Sequence, residues 1–217
     1  ERGFEPMKPT IKRILCGELQ ENAYLVFLPE REDALIIDPG DDAAACLKAV
    51  RDCGKRLSHI LLTHGHFDHI LAAPILRRET GAKICLHEKD APLLRDARLN
   101  AYNPLFCREA FAPFAADEVY SLCAPGDIEV CGMAIRVIPT PGHTPGGVCY
   151  HLPEYNALFS GDTLFADGYG RTDLPGGSMA ELAQSLKALR RLPGEDAIYP
   201  GHGESAPLES AMAVLGL

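Results

Sequence analysis

The run Thr63-His64-Gly65-His66-Phe67-Asp68-His69 constrains this chain more than any other segment. It follows the apolar stretch Ile60-Leu61-Leu62, so four metal-binding side chains sit where a buried strand gives way to a turn. His64 and His66 are two apart, and on an extended backbone both rings project to the same side. The turn that follows can aim Asp68 and His69 in another direction, toward a second ion. Neutral imidazole and carboxylate together suit zinc, with iron or manganese also compatible.

Three later turns carry one more candidate each. His143 lies in Thr140-Pro141-Gly142-His143-Thr144-Pro145-Gly146, Asp162 in Ser160-Gly161-Asp162-Thr163, and His202 in Pro200-Gly201-His202-Gly203. Each turn follows an apolar run, so each presents its side chain at the edge of a sheet. Glycines beside the donor let the loop approach an ion closely. A lone glycine-flanked histidine is weak evidence, but these turns coincide with the His64 cluster. Seven donors on separate loops are enough to hold two divalent cations, and the chain reads as a dinuclear metal enzyme.

Length and charge narrow the substrate. The 217 residues fit one large domain, expected over residues 7–217, with residues 1–6 set aside as an extension ahead of a candidate initiator, Met7. The net charge is −9 and no basic cluster exceeds Arg77-Arg78 or Arg190-Arg191, which argues against a nucleic-acid surface. A small-molecule substrate is expected, and no segment marks an obligate protein partner. The eight cysteines include no C-x-x-C pair and mostly have apolar neighbours, as buried thiols in a reducing cytosol would. No apolar stretch approaches the roughly 20 residues that span a bilayer, and no signal-peptide core is present.

Patterning predicts strands at 11–16, 23–28, 34–37, 58–63 and 83–86, then at 127–130, 134–138, 148–152, 157–160 and 197–199. Helices are expected from the Asp41-Asp42 cap to Cys53, from Pro74 to Thr80, near 88–94, and from the Ser178-Met179-Ala180-Glu181 capping box to Arg191. Between Arg95 and Ala116 the periodicity fails. That stretch, with Tyr102, Phe106, Phe111 and Phe114, reads equally as a lid or as a surface wrap. Strands fill the interior of both halves, so two sheets packed face to face with helices outside are expected.

The order His64-x-His66-x-Asp68-His69, His143, Asp162, His202 resembles the metallo-β-lactamase-fold hydrolases, over about Ile11 to His202. The resemblance implies an α/β (α+β) fold, a four-layer αββα sandwich with the metals at one edge of its sheets. It implies that His64, His66 and His143 hold one ion, Asp68, His69 and His202 the other, and that Asp162 bridges them. Asp38 matches an acidic position that steadies the ligand loops; capping the turn before Asp41 is the other reading. His59, His87 and His151 match no ligand position and are expected to pack or to lie on the surface.

Within that superfamily the chain is similar to the glyoxalase II group of hydroxyacyl-thioester hydrolases. Lactamases proper usually have cysteine at the Asp162 position and lack the His69 ligand. Gly168-Tyr169-Gly170-Arg171-Thr172-Asp173 stands where glyoxalase II has its substrate loop, with Arg171 for lysine and Asp173 where an aromatic glutathione contact is expected. Fifteen residues follow His202 here, so the familiar C-terminal helical domain is not expected and the likeness is to short bacterial forms. Arg171 either pairs with a substrate carboxylate or forms a salt bridge with Asp173. The implied reaction is thioester hydrolysis by a metal-bridging hydroxide, with Asp68 as the residue that orients it. The alternative is a persulfide dioxygenase with a single iron on His64, His143 and Asp162. Leu174-Pro175 and Gly203 depart from that family's pattern.

Overall fold

Hydrophobic residues in several of the strands occur without a polar partner every second position, the signature of strands covered on both faces. The computed structural model describes residues 8–216 and shows why. Residues 1–6 and Met7 lie outside the described residues. One sheet contains β1 (Thr10–Cys16), β2 (Glu21–Phe27), β3 (Asp33–Ile37), β4 (Arg56–Leu61), β5 (Lys83–His87) and β6 (Glu118–Tyr120), in that spatial order. The other contains β7 (Gly126–Val130), β8 (Met133–Pro139), β9 (Val148–Leu152), β10 (Ala157–Gly161), β11 (Ala197–Pro200) and β12 (Ala206–Pro207), again in order.

Side-chain alternation divides the central strands between two cores. Tyr24, Val26, Leu35, Ile37 and Leu61 point toward the second sheet, where they meet Ile135, Val137, Tyr150 and Phe159. Their neighbours Leu25, Ile36 and Ile60 point outward, onto α1 (Ala43–Cys53) and, further along the chain, α3 (Ala73–Thr80). On the far side, Cys149, Leu158 and Ile198 pack against α4 (Met179–Leu189) and α5 (Leu208–Val214). Three apolar interfaces therefore separate four layers, helix–sheet–sheet–helix, as expected.

Local chemistry sets the boundaries. The Asp42 carboxylate accepts from the Ala45 N–H at 2.9 Å to open α1, and Gly54 closes it in the left-handed region. Asp41 plays no part in that cap. Its carboxylate accepts from the N–H groups of Arg108 and Glu109 at 2.6 and 2.7 Å, which pins the irregular 95–116 segment to the body. Ser178 caps α4 as its capping box predicts.

Four expectations need correction. The fourth strand ends at Leu61, not Thr63, because Thr63 turns aside to bind Asp38. The helix expected over 88–94 is a single 3₁₀ turn, Glu88–Asp90, since Pro92 cannot donate to a further turn. The pattern gave no sign of β6, β12 or α5, all short. The 95–116 segment divides between its two readings: Phe111 and Phe114 pack onto the first helical core, while Ala101, Asn103 and Phe106 face a cavity. Among the described residues no helix is long and apolar enough to cross a membrane.

Candidate metal centre

Four strands end at one edge of the sandwich, and each delivers part of a single cluster. β4 leads into Thr63–His66, and the one-turn helix α2 (Phe67–Ile70) carries Asp68 and His69. The turns after β8, β10 and β11 carry His143, Asp162 and His202. All seven side chains named from the sequence meet there. His64, His66 and His143 each offer a nitrogen within 4.8 Å of the other two, and an Asp68 carboxylate oxygen lies as close to nitrogens of His69 and His202. His66 Nδ1 stands 2.8 Å from His143 Nε2, and His202 Nε2 stands 3.1 Å from Asp68 Oδ2. Asp162 lies between the sets: its Oδ1 is 3.3 Å from His69 Nε2, while Oδ2 is 3.5 Å from His143 Nε2 and 3.7 Å from His202 Nε2.

Hydrogen bonds on the far side of the rings determine which nitrogen faces inward. His143 Nδ1–H donates to the Arg171 carbonyl at 2.6 Å, which leaves its Nε2 as an acceptor, and His202 Nδ1–H donates to the Leu19 carbonyl at 3.2 Å, which turns its Nε2 toward Asp68. Asp38 anchors two more. Its Oδ2 lies 3.0 Å from His69 Nδ1 and accepts from Thr63 Oγ1 at 2.6 Å. Since that hydroxyl proton is spent on Asp38, Thr63 Oγ1 accepts from His64 Nδ1–H at 3.0 Å. The carboxylate thus orients His69 directly and His64 through Thr63, and Asp38 keeps the left-handed φ of 45° to reach them. Asp38, His64 and His69 also stand close enough to form a third donor group. The Asp38 oxygens are already occupied by Thr63 and His69, so this group supports the other two.

Protonation follows from burial and neighbours. Burial and the surrounding histidines push His64 well below its usual range, and burial with His143 brings His66 down to about 3. Both rings are neutral, with lone pairs free to ligate. Burial also pushes His69 down, but Asp162 and Asp68 outweigh it and hold His69 well above its usual value. Asp162 is the mirror image, raised by burial yet held well below the carboxylate range by His69. His69 and Asp162 therefore form a buried cation–carboxylate pair where a divalent ion would take over the positive charge.

The donor set fits such ions. His64 Nε2, His66 Nε2, His69 Nε2 and Asp162 Oδ1 are buried with no hydrogen-bond partner, a costly state that coordination relieves. Nitrogen and oxygen donors in these numbers suit zinc, iron or manganese.

Arg171 touches the centre through its main chain. Its guanidinium binds Asp173 through Nε at 2.7 Å and Nη2 at 2.6 Å, so the salt-bridge reading describes the side chain. His59, His87 and His151 stand outside the cluster. His87 bonds the Leu122 carbonyl, His59 bonds Ser58, and His151 Nε2 lies 3.0 Å from the buried Asp196.

Sequence reasoning missed three supporting residues. Asp90, wholly buried, accepts from the N–H groups of Gly65 and Gly146 and from Thr144 Oγ1, tying the His64 turn to the His143 turn. Asn22 Nδ2 donates to the Pro200 and Gly203 carbonyls, both at 2.9 Å, and fixes the His202 turn. Glu21 is also wholly buried, with Oε1 3.6 Å from His69 Nδ1, and burial holds its carboxyl well above the usual range. Only Glu21 left a local signal, a carboxyl group opening an apolar strand.

A family model described as the metallo-beta-lactamase superfamily matches residues 16–202. The hydroxyacylglutathione hydrolase GloC of Haemophilus influenzae is 34% identical over 196 residues, covering 89% of this chain and 90% of its own. The crystal structure of the BLEG-1 B3 metallo-beta-lactamase superposes with a TM-score of 0.86 at 34% identity, covering 94% of this chain and 97% of the other. That of TTHA1623 in a di-iron-bound form gives 0.81 at 36% identity, covering 94% and 98%.

Proposed function

The chain belongs to the metallo-beta-lactamase superfamily, and from that premise we propose a dinuclear metallohydrolase acting on small thioesters, like hydroxyacylglutathione hydrolase in its chemistry. The superfamily makes it a metal-dependent enzyme. The observation that carries the finer reading is Asp162, whose two oxygens reach donors of both ligand sets. His64, His66 and His143 would hold one ion, Asp68, His69 and His202 the other, and Asp162 both. Zinc is the first choice, with iron or manganese as alternatives; the di-iron form of TTHA1623 supports iron.

Two such ions, when bound, supply a water acidified toward neutral pH and a Lewis acid for a carbonyl oxygen. The chain does the rest. Asp68 Oδ2 faces the cavity beside His202 Nε2 and is placed to accept the proton that orients the nucleophile. Burial raises Asp68, but His69 and His202 outweigh it and keep the carboxylate ionised, as a proton acceptor requires. A thiolate leaves readily near neutral pH, in keeping with the absence of a separate general acid among the residues lining the cavity. That cavity, of about 440 Å³, is of a size for a small molecule. A nucleic acid is not proposed as a partner. Cysteines that stay unpaired among the described residues fit a reducing compartment, and we place the activity in the cytoplasm.

The test combines metal analysis with three assays: hydrolysis of a thioester panel, oxygen uptake with a persulfide, and hydrolysis of a β-lactam. Two ions with thioester turnover support the proposal. One iron with oxygen uptake favours the dioxygenase alternative, and turnover of the lactam alone favours the activity in the name of BLEG-1. Asp162→Ala should abolish turnover and lower metal content; retained turnover would remove the bridge.

A further inference from the structure

We propose that this site selects thioesters with an apolar acyl chain and a thiol portion free of carboxylates, an inference that rests on the thioesterase reading above. The cavity has a lining of two kinds. The donor residues His66, Asp68, His143, Asp162 and His202 share it with an apolar wall of Leu19, Phe67, Ala101, Phe106 and Leu174. Leu19 and Phe106 are 41% and 48% exposed, large apolar side chains held in water at the mouth. Such surface is unfavourable to leave wet, and a substrate that covers it gains the free energy of its removal from water.

The wall is fixed in place. The Leu19 carbonyl accepts from His202, so this residue is tied to the centre itself. Asn103 Oδ1 accepts from the Leu105 N–H at 3.1 Å and shapes the turn that carries Phe106. Just beyond it, Asp41 holds Arg108 and Glu109 by their N–H groups. An acyl chain therefore enters a preformed apolar slot.

Charge at the mouth disfavours a thiol that carries carboxylates. Arg171 is the single arginine or lysine among the lining residues, and one edge of its guanidinium, Nε and Nη2, is taken by Asp173. Arg108, close by in the same segment, is bound to Asp42 at 2.6 Å. A substrate carboxylate at Arg171 would either displace Asp173 or bind through Nη1 with Asp173 beside it. Exchanging one exposed carboxylate for another gains little, and the two like charges repel. The glutathione moiety, with two carboxylates, meets no arginine or lysine among the lining residues that is not already paired with a carboxylate.

The test uses the metal-loaded protein and six substrates: acetyl, butyryl and hexanoyl thioesters of N-acetylcysteamine, which is uncharged, and of glutathione. The expected kcat/KM rises about tenfold or more from acetyl to hexanoyl, since even one methylene in an apolar pocket discriminates on that order. At each length the uncharged thiol is preferred. Phe106→Ala should flatten the length dependence, and Asp173→Asn, which frees Arg171, should narrow the preference between thiols. A flat length dependence in the parent protein, or faster hydrolysis of the glutathione thioesters, would overturn the inference. Failure of all six with two ions bound would overturn the thioesterase reading. Calorimetric binding of the unreactive thioether analogues separates the two failures: the hexyl, uncharged analogue should bind best, and any other order sinks the specificity claim by itself.

Discussion

The Asp90 carboxylate accepts the Gly146 main-chain N–H at 2.6 Å, which fastens a 3₁₀ turn of the first sheet to the loop that carries His143 in the second. Its other oxygen takes the Gly65 N–H at 2.9 Å and the Thr144 hydroxyl at 2.7 Å. One buried side chain thus sets the spacing between His64, His66 and His143. Asp90→Ala leaves three buried donors without an acceptor and is expected to cost roughly 2–4 kcal/mol of stability. Metal should be lost from the three-histidine set first. Chemical denaturation alongside metal analysis of the folded fraction checks both; a variant that keeps two ions would refute the role. Asp90→Asn should behave nearly as badly, because its amide nitrogen would face a donor.

Asp38 acts on the other half of the centre. Removing it frees His69 Nδ1 and, through Thr63, His64 Nδ1, so neither ring retains a fixed tautomer. Asp38→Ala should weaken metal binding by about 10–100-fold, the range found when the partners of metal-bound histidines are removed. Competition against a chromophoric chelator measures this. Thr63→Val should lower affinity less, since the direct bond to His69 survives.

Removal of the ions should destabilise the fold as well as abolish turnover. Ligands that bind only the folded chain add about 2.7 kcal/mol at a hundredfold excess over Kd. Calorimetry with and without a chelator should therefore show a lower melting temperature for the stripped protein, restored by zinc, iron or manganese. Equal melting temperatures would mean that the clustered donors hold no ion of consequence.

How much of this was legible in the sequence depended on whether the signal was local. The ligand turns were, because each pairs a donor with glycine at the end of an apolar run, as in Gly161-Asp162 and Gly201-His202-Gly203. The layers were too, since strands such as β9 and β10 are apolar on both faces and the helices on the two outer layers are amphipathic. Asp90 left no such trace: in sequence it reads as one more acid in Glu88-Lys89-Asp90, and its meaning lies in residues 25 and 56 positions away. Asn22 and Leu19 serve the His202 turn from the opposite end of the chain for the same reason. α5 was hidden by its length, one apolar stripe of Leu208, Ala211 and Met212 opened by Pro207, which makes a helix only when α4 and β11 are there to cover it.

Gly201 offers the narrowest test of the centre's geometry. A methyl group there would collide with Asp162 Oδ1 and sit 2.5 Å from His69 Cε1, inside the space between the two ligand sets. The backbone itself would not object, because Gly201 is absent from the positive-φ residues. Its main chain would keep the bonds from its N–H to the Gly161 carbonyl and from the Asn22 N–H to its own carbonyl. Gly201→Ala is therefore expected to fold with its sheets intact while Asp162 and His69 are pushed apart. Circular dichroism should match the parent, metal content should fall from two ions toward one or none, and turnover should drop by at least a hundredfold, as misplacement of about 1 Å can cause. A Gly201→Ala protein with full metal content and unchanged turnover would show that Asp162 and His69 need not approach this closely, and the shared-carboxylate centre would have to be abandoned.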